Sequence, residues 1–343
     1  MAACNDEIRL IVKTLDDNIR EYFRDKPIVV TGASGFVGRN LVNRLSALGL
    51  NVHGICNSRA INAATPCDMT NYDQAHSVLS SIAPEYVFML AAKTYGISVM
   101  ASAPDALVRD NIVMNANTLD VCHKLKVKKV SYLSSSTAYQ ESFSPLSEDD
   151  IDLNINPHSA YSGVGWVKRY SEKLCEFYGA MGMDSSIIRT TAVYGKYDKY
   201  GAGSHFLPSI MRRVVEGKDP LVVWGNGNAI RNMIYVDDLI RDMMLAFMHN
   251  SATSTFNVCS DTTHSIREMT NMVLMAGGSS ASVVFDAGKP EAIPYRDLNR
   301  KKFDAFFGKQ EYCPLSDGIL ATMAWLTSEI KEKHAKDNSI DYN

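Results

Sequence analysis

Long apolar runs are missing from this chain of 343 residues: although 46% of them are hydrophobic, none of the runs approaches the roughly 20 residues that a membrane-crossing helix needs. The opening MAACNDEIRL lacks the basic and then apolar stretch of a secretory leader, which predicts a cytoplasmic protein. Net charge is also lacking. At −3 the chain has no basic field to hold nucleic acid or an anionic membrane, so neither is expected as a partner. Paired cysteines are absent too. The seven, at 4, 56, 67, 122, 175, 259 and 313, are scattered and odd in number with no CxxC among them. That argues against a disulfide framework or a zinc site and predicts reduced thiols, most of them small core residues. Neither an internal repeat nor a low-complexity linker divides the chain.

What the sequence does contain is alternation. Ile8, Ile11, Val12, Leu15, Ile19, Tyr22 and Phe23 recur at helical spacing and predict an amphipathic arm over 5–24, ended by Pro27. Its apolar stripe has to dock, either on the chain's own body or on another subunit. From residue 28, the short apolar runs IVVTG, NVHGIC, YVFMLAA and KKVSYLSS are separated by helical stretches. This is the pattern of an α/β fold with a Rossmann-type doubly wound parallel sheet. Past 190 the pattern turns irregular and Gly-rich, which predicts a smaller mixed α/β substrate lobe. The expected organisation is an arm at 1–26 and a dinucleotide-binding domain at 27–190, to which 234–262 returns. The lobe takes 191–233 and 263–330, and a solvated tail 331–343.

TGASGFVG places Gly32, Gly35 and Gly38 between an apolar strand and a helix, with Ser34, Phe36 and Val37 in the same turn. In that context the glycines allow a tight turn, close approach of backbone to a pyrophosphate, and close packing of helix on strand. The acid that would hold a ribose 2′-hydroxyl is absent at the end of the second strand. Asn57, Ser58 and Arg59 stand there instead. Arg59 is suited to a 2′-phosphate, which favours NADP, with NAD the alternative. Asp68, followed by Met69, has two readings: an acceptor for the adenine amino group or a helix cap.

Several separated segments then resemble the extended short-chain dehydrogenase/reductases that act on nucleotide sugars, and within them the GDP-fucose synthases (GDP-4-keto-6-deoxymannose epimerase/reductases). These are AAKTYGI at 91–97, KLCEFY at 173–178, GSHFLP at 203–208, VVWGNGNAIRNMIYVDDL at 222–239 and VVFDAGKPEAIP at 283–294. The resemblance covers roughly 27–325. It implies a nicotinamide cofactor, a nucleoside-diphosphate sugar bound between two lobes, and a homodimer paired through long helices. It implies that Ala91 and Lys93 line the cofactor site, that Ser135 hydrogen-bonds the reacting sugar oxygen with Ser136 beside it, and that Lys168 holds the nicotinamide ribose and lowers the pKa of the acid. His205 corresponds to a histidine acid/base, Arg213 and Arg231 to diphosphate contacts, and Trp224 and Lys289 to the nucleotide pocket. Thr137 falls where the synthases carry a catalytic cysteine, and its hydroxyl ionises too weakly to abstract a proton beside a ketone. SSSTAY also lacks the Asp-Glu pair of sugar 4,6-dehydratases.

One further absence bears on the chemistry. Four residues before Lys168, where the resemblance calls for a tyrosine, stands Val164, which can neither give nor take a proton. Tyr161 lies seven residues before the lysine and reaches the site only if its segment bends away from the helix; Tyr139 and His205 are the other candidates. The expected function is reduction or epimerisation at carbon 4 of a GDP-linked or other NDP-linked deoxyhexose with NADP(H). The alternatives are a 4,6-dehydratase or dehydrogenase of the same family, and a catalytically weak regulatory protein that keeps the pocket.

Overall fold

Strands form where short β-branched runs lie between turns. In β1 (Ile28–Thr31) and β4 (Tyr86–Met89) every residue is buried, as befits parallel strands covered by helices on both faces. The computed structural model describes residues 14–57, 64–94, 104–201, 203–249, 252–289 and 293–340. Its main sheet also contains β2 (Val52–Cys56), β3 (Thr65–Pro66), β5 (Lys129–Ser135), β6 (Asp184–Thr190) and β10 (Thr253–Val258). The seven run parallel in the order β10-β6-β5-β4-β1-β2-β3. The expected doubly wound sheet is therefore present. Strand order reverses between β1 and β4, and a crevice at the carboxyl ends there is where such sheets take ligands.

Helices Phe36–Ala47 and Val236–Met248 cover one face, sharing a core with Ile28, Val30, Phe88 and Phe256. Helices Tyr72–Ile82, Pro104–Lys124 and Ser162–Ala180 cover the other, over Val29, Val87, Val130 and Ile187. The arm is helical over 14–22, and its earlier part lies outside the described residues. Ile19 and Phe23 are buried with Tyr86 and Phe247, so the described part of the stripe docks on the chain's own body.

β6 passes almost directly into β7 (Ala192–Tyr194), which leaves the main sheet and pairs with β9 (Ile230–Tyr235). β9 also pairs with β11 (Thr263–Ser265) and β13 (Tyr295–Arg296), while β8 (Leu221–Trp224) pairs in parallel with β12 (Val283–Asp286). Helices Phe206–Val215, Ile266–Ala276 and Leu315–Ile340 close a separate core around Leu207, Ile210, Met269 and Ile319. The tail expected after 330 is instead the continuation of the Leu315–Ile340 helix; KEKHAKD holds good helix formers and no breaker. Among the described residues no helix is long and apolar enough to cross a membrane. The described cysteines are free, and all but Cys313 are buried.

Candidate active site

At the glycine turn the backbone conformation explains the residue types. Gly32 has a left-handed φ of +69°, and a Cβ there would lie 2.8 Å from the backbone of Leu90 and Ala91 after β4. A Cβ on Gly38 would run into the Gly32 carbonyl oxygen. The Thr31 hydroxyl accepts from the amides of Leu90 and Ala91, both at 3.2 Å, and so ties the two strand ends together. Gly35 is the N-cap of the Phe36–Ala47 helix; no side chain caps that helix and no acid stands in its first turn. Half-buried Ser34, Phe36 and Val37 surround this open positive end. The turn therefore fits a dinucleotide pyrophosphate.

Exposed Asn57 follows β2, and Arg59 lies outside the described residues. Of the two readings for Asp68, the helix cap does not hold. Its Oδ1 accepts from the Thr70 amide (2.9 Å) and hydroxyl (2.7 Å), bonds that hold its pKa below the ordinary value, and the cap of the next helix is Asn71. The Met69 side chain belongs to the core. The Lys93 amide donates to Asn111 Oδ1 at 2.8 Å, and its ammonium pairs with Asp110.

Ser135 ends β5, and its Oγ accepts from the Thr137 amide at 3.1 Å, closing the short turn Ser136–Ala138. Thr137 is buried and its Oγ1 has no hydrogen-bond partner among the described residues; Ser136 is buried beside it. The Ser162–Ala180 helix lies close against this turn, because a Cβ on Gly165 would come within 2.5 Å of both the Thr137 carbonyl and Pro157. Lys168 on that helix donates to the Leu133 carbonyl at 2.7 Å and sits 4.9 Å from the centre of the Tyr132 ring. Burial lowers its pKa to about 8, with Glu172 acting the other way. Val164, half-buried one turn earlier, shares this helix face. Tyr139 is excluded as the missing acid. It is buried, donates to Asn257 Oδ1 and accepts from Arg189 Nη1, both at 2.8 Å, and burial pushes its pKa up to about 12.

Tyr161 does leave the helix. It closes a tight turn over Ser159–Tyr161 with φ −126° and ψ 10°, and the α-helix starts only at Ser162. Its ring meets Arg296 of β13, whose guanidinium carbon is 4.3 Å from the ring centroid. His205 is the exposed N-cap residue of the Phe206–Val215 helix. Partial desolvation lowers its pKa below the ordinary imidazole value, and the cations Lys199 and Arg296 add to the effect. Lys199 reaches across to the Thr94 carbonyl at 3.3 Å. Arg296 thus lies against the Tyr161 ring and acts electrostatically on His205.

On the lobe side, Arg231 of β9 is the register partner of Arg296, so their side chains leave the sheet on the same face. Arg231 Nη1 donates to the Ile230 carbonyl at 2.7 Å. Arg213 is tied into the fold: its Nη1 donates to the Val222 carbonyl at 2.6 Å, and burial lowers its pKa. Trp224 ends β8 and is 44% exposed. Lys289, exposed, follows β12.

A family model described as the NAD dependent epimerase/dehydratase family matches residues 28–259. The chain belongs to that family. Its relatives include the probable GDP-L-fucose synthase 1 of Oryza sativa subsp. japonica, 26% identical over 92% of this chain and 97% of the relative. Two solved structures share its fold. UDP-glucose 4-epimerase of Thermotoga maritima with UDP-glucose superposes with a TM-score of 0.81 at 22% identity, over 89% of this chain and 99% of that one. The GDP-L-fucose synthetase of Naegleria fowleri bound to NADP gives 0.77 at 22%, over 90% and 94%.

As a member of the NAD dependent epimerase/dehydratase family, the protein is an NAD(P)-dependent enzyme of the nucleotide-sugar epimerase/reductase type. Two residues at its site escaped the sequence reading. Lys199 sits in GKYDKYG, part of the irregular Gly-rich and aromatic stretch past 190, with no spacing that marks a ligand. Arg296 sits in PYRDLN, two residues beyond the last resembling segment, and carries no pattern of its own.

Proposed function

We propose that this protein reduces or epimerises carbon 4 of a nucleoside-diphosphate hexose, a GDP-linked deoxyhexose being the favoured substrate, with NADP(H). What carries the reading is one arrangement. The uncapped glycine turn and the Ser135–Lys168 pair stand at the carboxyl edge of one parallel sheet, with two in-register arginines on the neighbouring lobe sheet. The rice relative's name supports GDP, and the NADP bound in the Naegleria structure supports the phosphorylated cofactor.

The backbone of the glycine turn would hold the pyrophosphate, and Ala91 and Lys93 would lie beside the dinucleotide. Lys168 would hold the nicotinamide ribose. A nicotinamide bound here supplies or accepts hydride at the sugar carbon. Ser135 polarises the sugar oxygen, Tyr161 or His205 exchanges its proton, and Arg231 meets the diphosphate with Trp224 and Lys289 near the nucleotide. Arg213 is a weaker candidate, because its guanidinium already holds Val222. Free thiols suit the cytoplasm, and a homodimer is the expected assembly.

The test begins with purified protein heated to release its nucleotide, which is identified by mass. GDP- and UDP-hexoses and their 4-keto forms are then screened at the nicotinamide absorbance band. A reductase consumes added NADPH mole for mole; an epimerase converts sugar while recycling bound cofactor. Tight cofactor binding without turnover of any sugar overturns the enzymatic reading in favour of a regulatory protein, the outcome that Val164 would then explain.

A further inference from the structure

We propose that Arg296 is the positioning residue for proton transfer by Tyr161, so that the acid missing at position 164 is rebuilt as a pair drawn from the turn before the main-sheet helix and from the lobe sheet. The inference rests on the oxidoreductase reading above. Tyr161 sits two turns from Lys168, about 10 Å along a helix axis, and the Lys168 ammonium is committed to the Leu133 carbonyl. The lysine is therefore badly placed to serve this phenol. A different cation is there. Arg296 lies against the Tyr161 ring, its Nη2 is buried without a hydrogen-bond partner among the described residues, and none of the ion pairs among them involves it. The two sides are fixed independently. His158 Nδ1 accepts from the Ala160 amide at 3.2 Å and holds the Ser159–Tyr161 turn; the Ile230 amide donates to the Pro294 carbonyl at 2.8 Å and sets β13 on β9.

A guanidinium with no carboxylate partner stabilises negative charge as it develops on a neighbouring oxygen. In ketone reduction the O–H bond of Tyr161 breaks and its proton passes to the sugar oxygen, where the former C=O π electrons form the new O–H bond. The phenolate left behind is stabilised by Arg296 and takes a proton from water. The hydride that completes the carbon is the nicotinamide's contribution.

The experiment compares the full-length wild type with Tyr161→Phe, Arg296→Ala, Arg296→Lys and the Tyr161→Phe/Arg296→Ala double variant, on the sugar found by the screen. Tyr161→Phe is expected to lower kcat by about 10²-fold or more, Arg296→Ala by about 10-fold to 10²-fold, and the double variant by no more than Tyr161→Phe. Millimolar guanidinium should restore Arg296→Ala but not the double variant. Titration with GDP alone, without cofactor, should show affinities within about threefold of wild type. Arg296→Lys keeps the charge and should fall between, which preserves the comparison if Arg296→Ala does not fold.

Additive losses, guanidinium rescue that ignores Tyr161, an unimpaired Tyr161→Phe, or GDP binding weakened more than about tenfold in Arg296→Ala would each overturn the pairing; the last would make Arg296 a phosphate ligand instead. A wild type that turns over no nucleotide sugar overturns the oxidoreductase reading and this inference with it. Wild-type turnover with an unaffected Tyr161→Phe removes only this inference.

Discussion

Lys168 is a cation held where water is scarce, and that sets a measurable balance between stability and function. Burial lowers its pKa to about 8 despite the opposing pull of Glu172, whereas a lysine in the unfolded chain titrates near 10.4. Between those values the unfolded chain binds the proton that the folded chain has released, so stability rises with pH across the window. Below about pH 8 the cost of burying the charge is fully present. Lys168→Met should therefore stabilise the protein without cofactor near pH 7, by on the order of 1–3 kcal/mol, with the gap closing toward about pH 10. Urea unfolding at a series of pH values reads this directly. The same variant should bind NADPH more weakly, because the ribose loses its partner. A less stable Lys168→Met near pH 7 would mean that the hydrogen bond to Leu133 outweighs the buried charge.

Elements meet at the site through glycines and one buried ion pair. The Ser162–Ala180 helix approaches the Ser135 turn only because Gly165 lacks a side chain. Gly165→Ala should push Lys168 away from β5 and lower kcat by about 10-fold to 10²-fold, on the scale of displaced catalytic groups, while the distant glycine turn still binds NADP. Steady-state kinetics beside a cofactor titration separates the two effects; cofactor affinity falling as far as kcat would point to general unfolding. Deeper down, Glu172 of this helix takes a hydrogen bond from Ser134 of β5 and pairs with Arg189 of β6, Nη2 to Oε2 at 2.8 Å, with both side chains buried. Glu172→Gln leaves that guanidinium unpaired and should cost about 3–5 kcal/mol in urea unfolding. The strand–turn–helix at 28–47 was legible in sequence because burial on both faces leaves a continuous apolar run and each glycine answers a backbone contact. Arg296 was not. Its strand is two residues long and exists through register with β9, where Tyr295 pairs with Ile230 sixty-five positions earlier in the chain, so it is set by pairing rather than by periodicity. Tyr161 was legible only as a condition: the bend that frees it from the helix depends on the turn over 159–161, while the partner it meets comes from β13.

At the scale of the molecule, the loop over 195–199 ties the main sheet to the lobe. Asn40 donates to the Lys196 carbonyl at 2.8 Å, Arg39 lies 3.8 Å over the Tyr197 ring, and Tyr197 also meets Trp325 of the last helix. Lys199 completes the strap at the Thr94 carbonyl. Inside it Asp198 is 6% exposed; its Oδ1 accepts from the Lys199 amide at 2.7 Å, and its Oδ2 is buried without a hydrogen-bond partner among the described residues. Burial raises its pKa to about 7, only partly offset by the Lys199 amide and ammonium; an unfolded aspartate titrates near 3.9. Between these values the folded chain holds a proton that the unfolded chain has lost, so this group's contribution to stability falls as pH rises from about 4 to about 7 and its cost is complete above that. Asp198→Asn keeps the Oδ1 acceptor and removes the charge. It should be more stable than wild type near pH 8 by on the order of 2 kcal/mol and indistinguishable near pH 4, with a flatter dependence between. Thermal unfolding of both proteins across that range decides it. Parallel curves would mean that the carboxylate finds a partner when it ionises, and that the strap holds the two sheets together without a charge penalty.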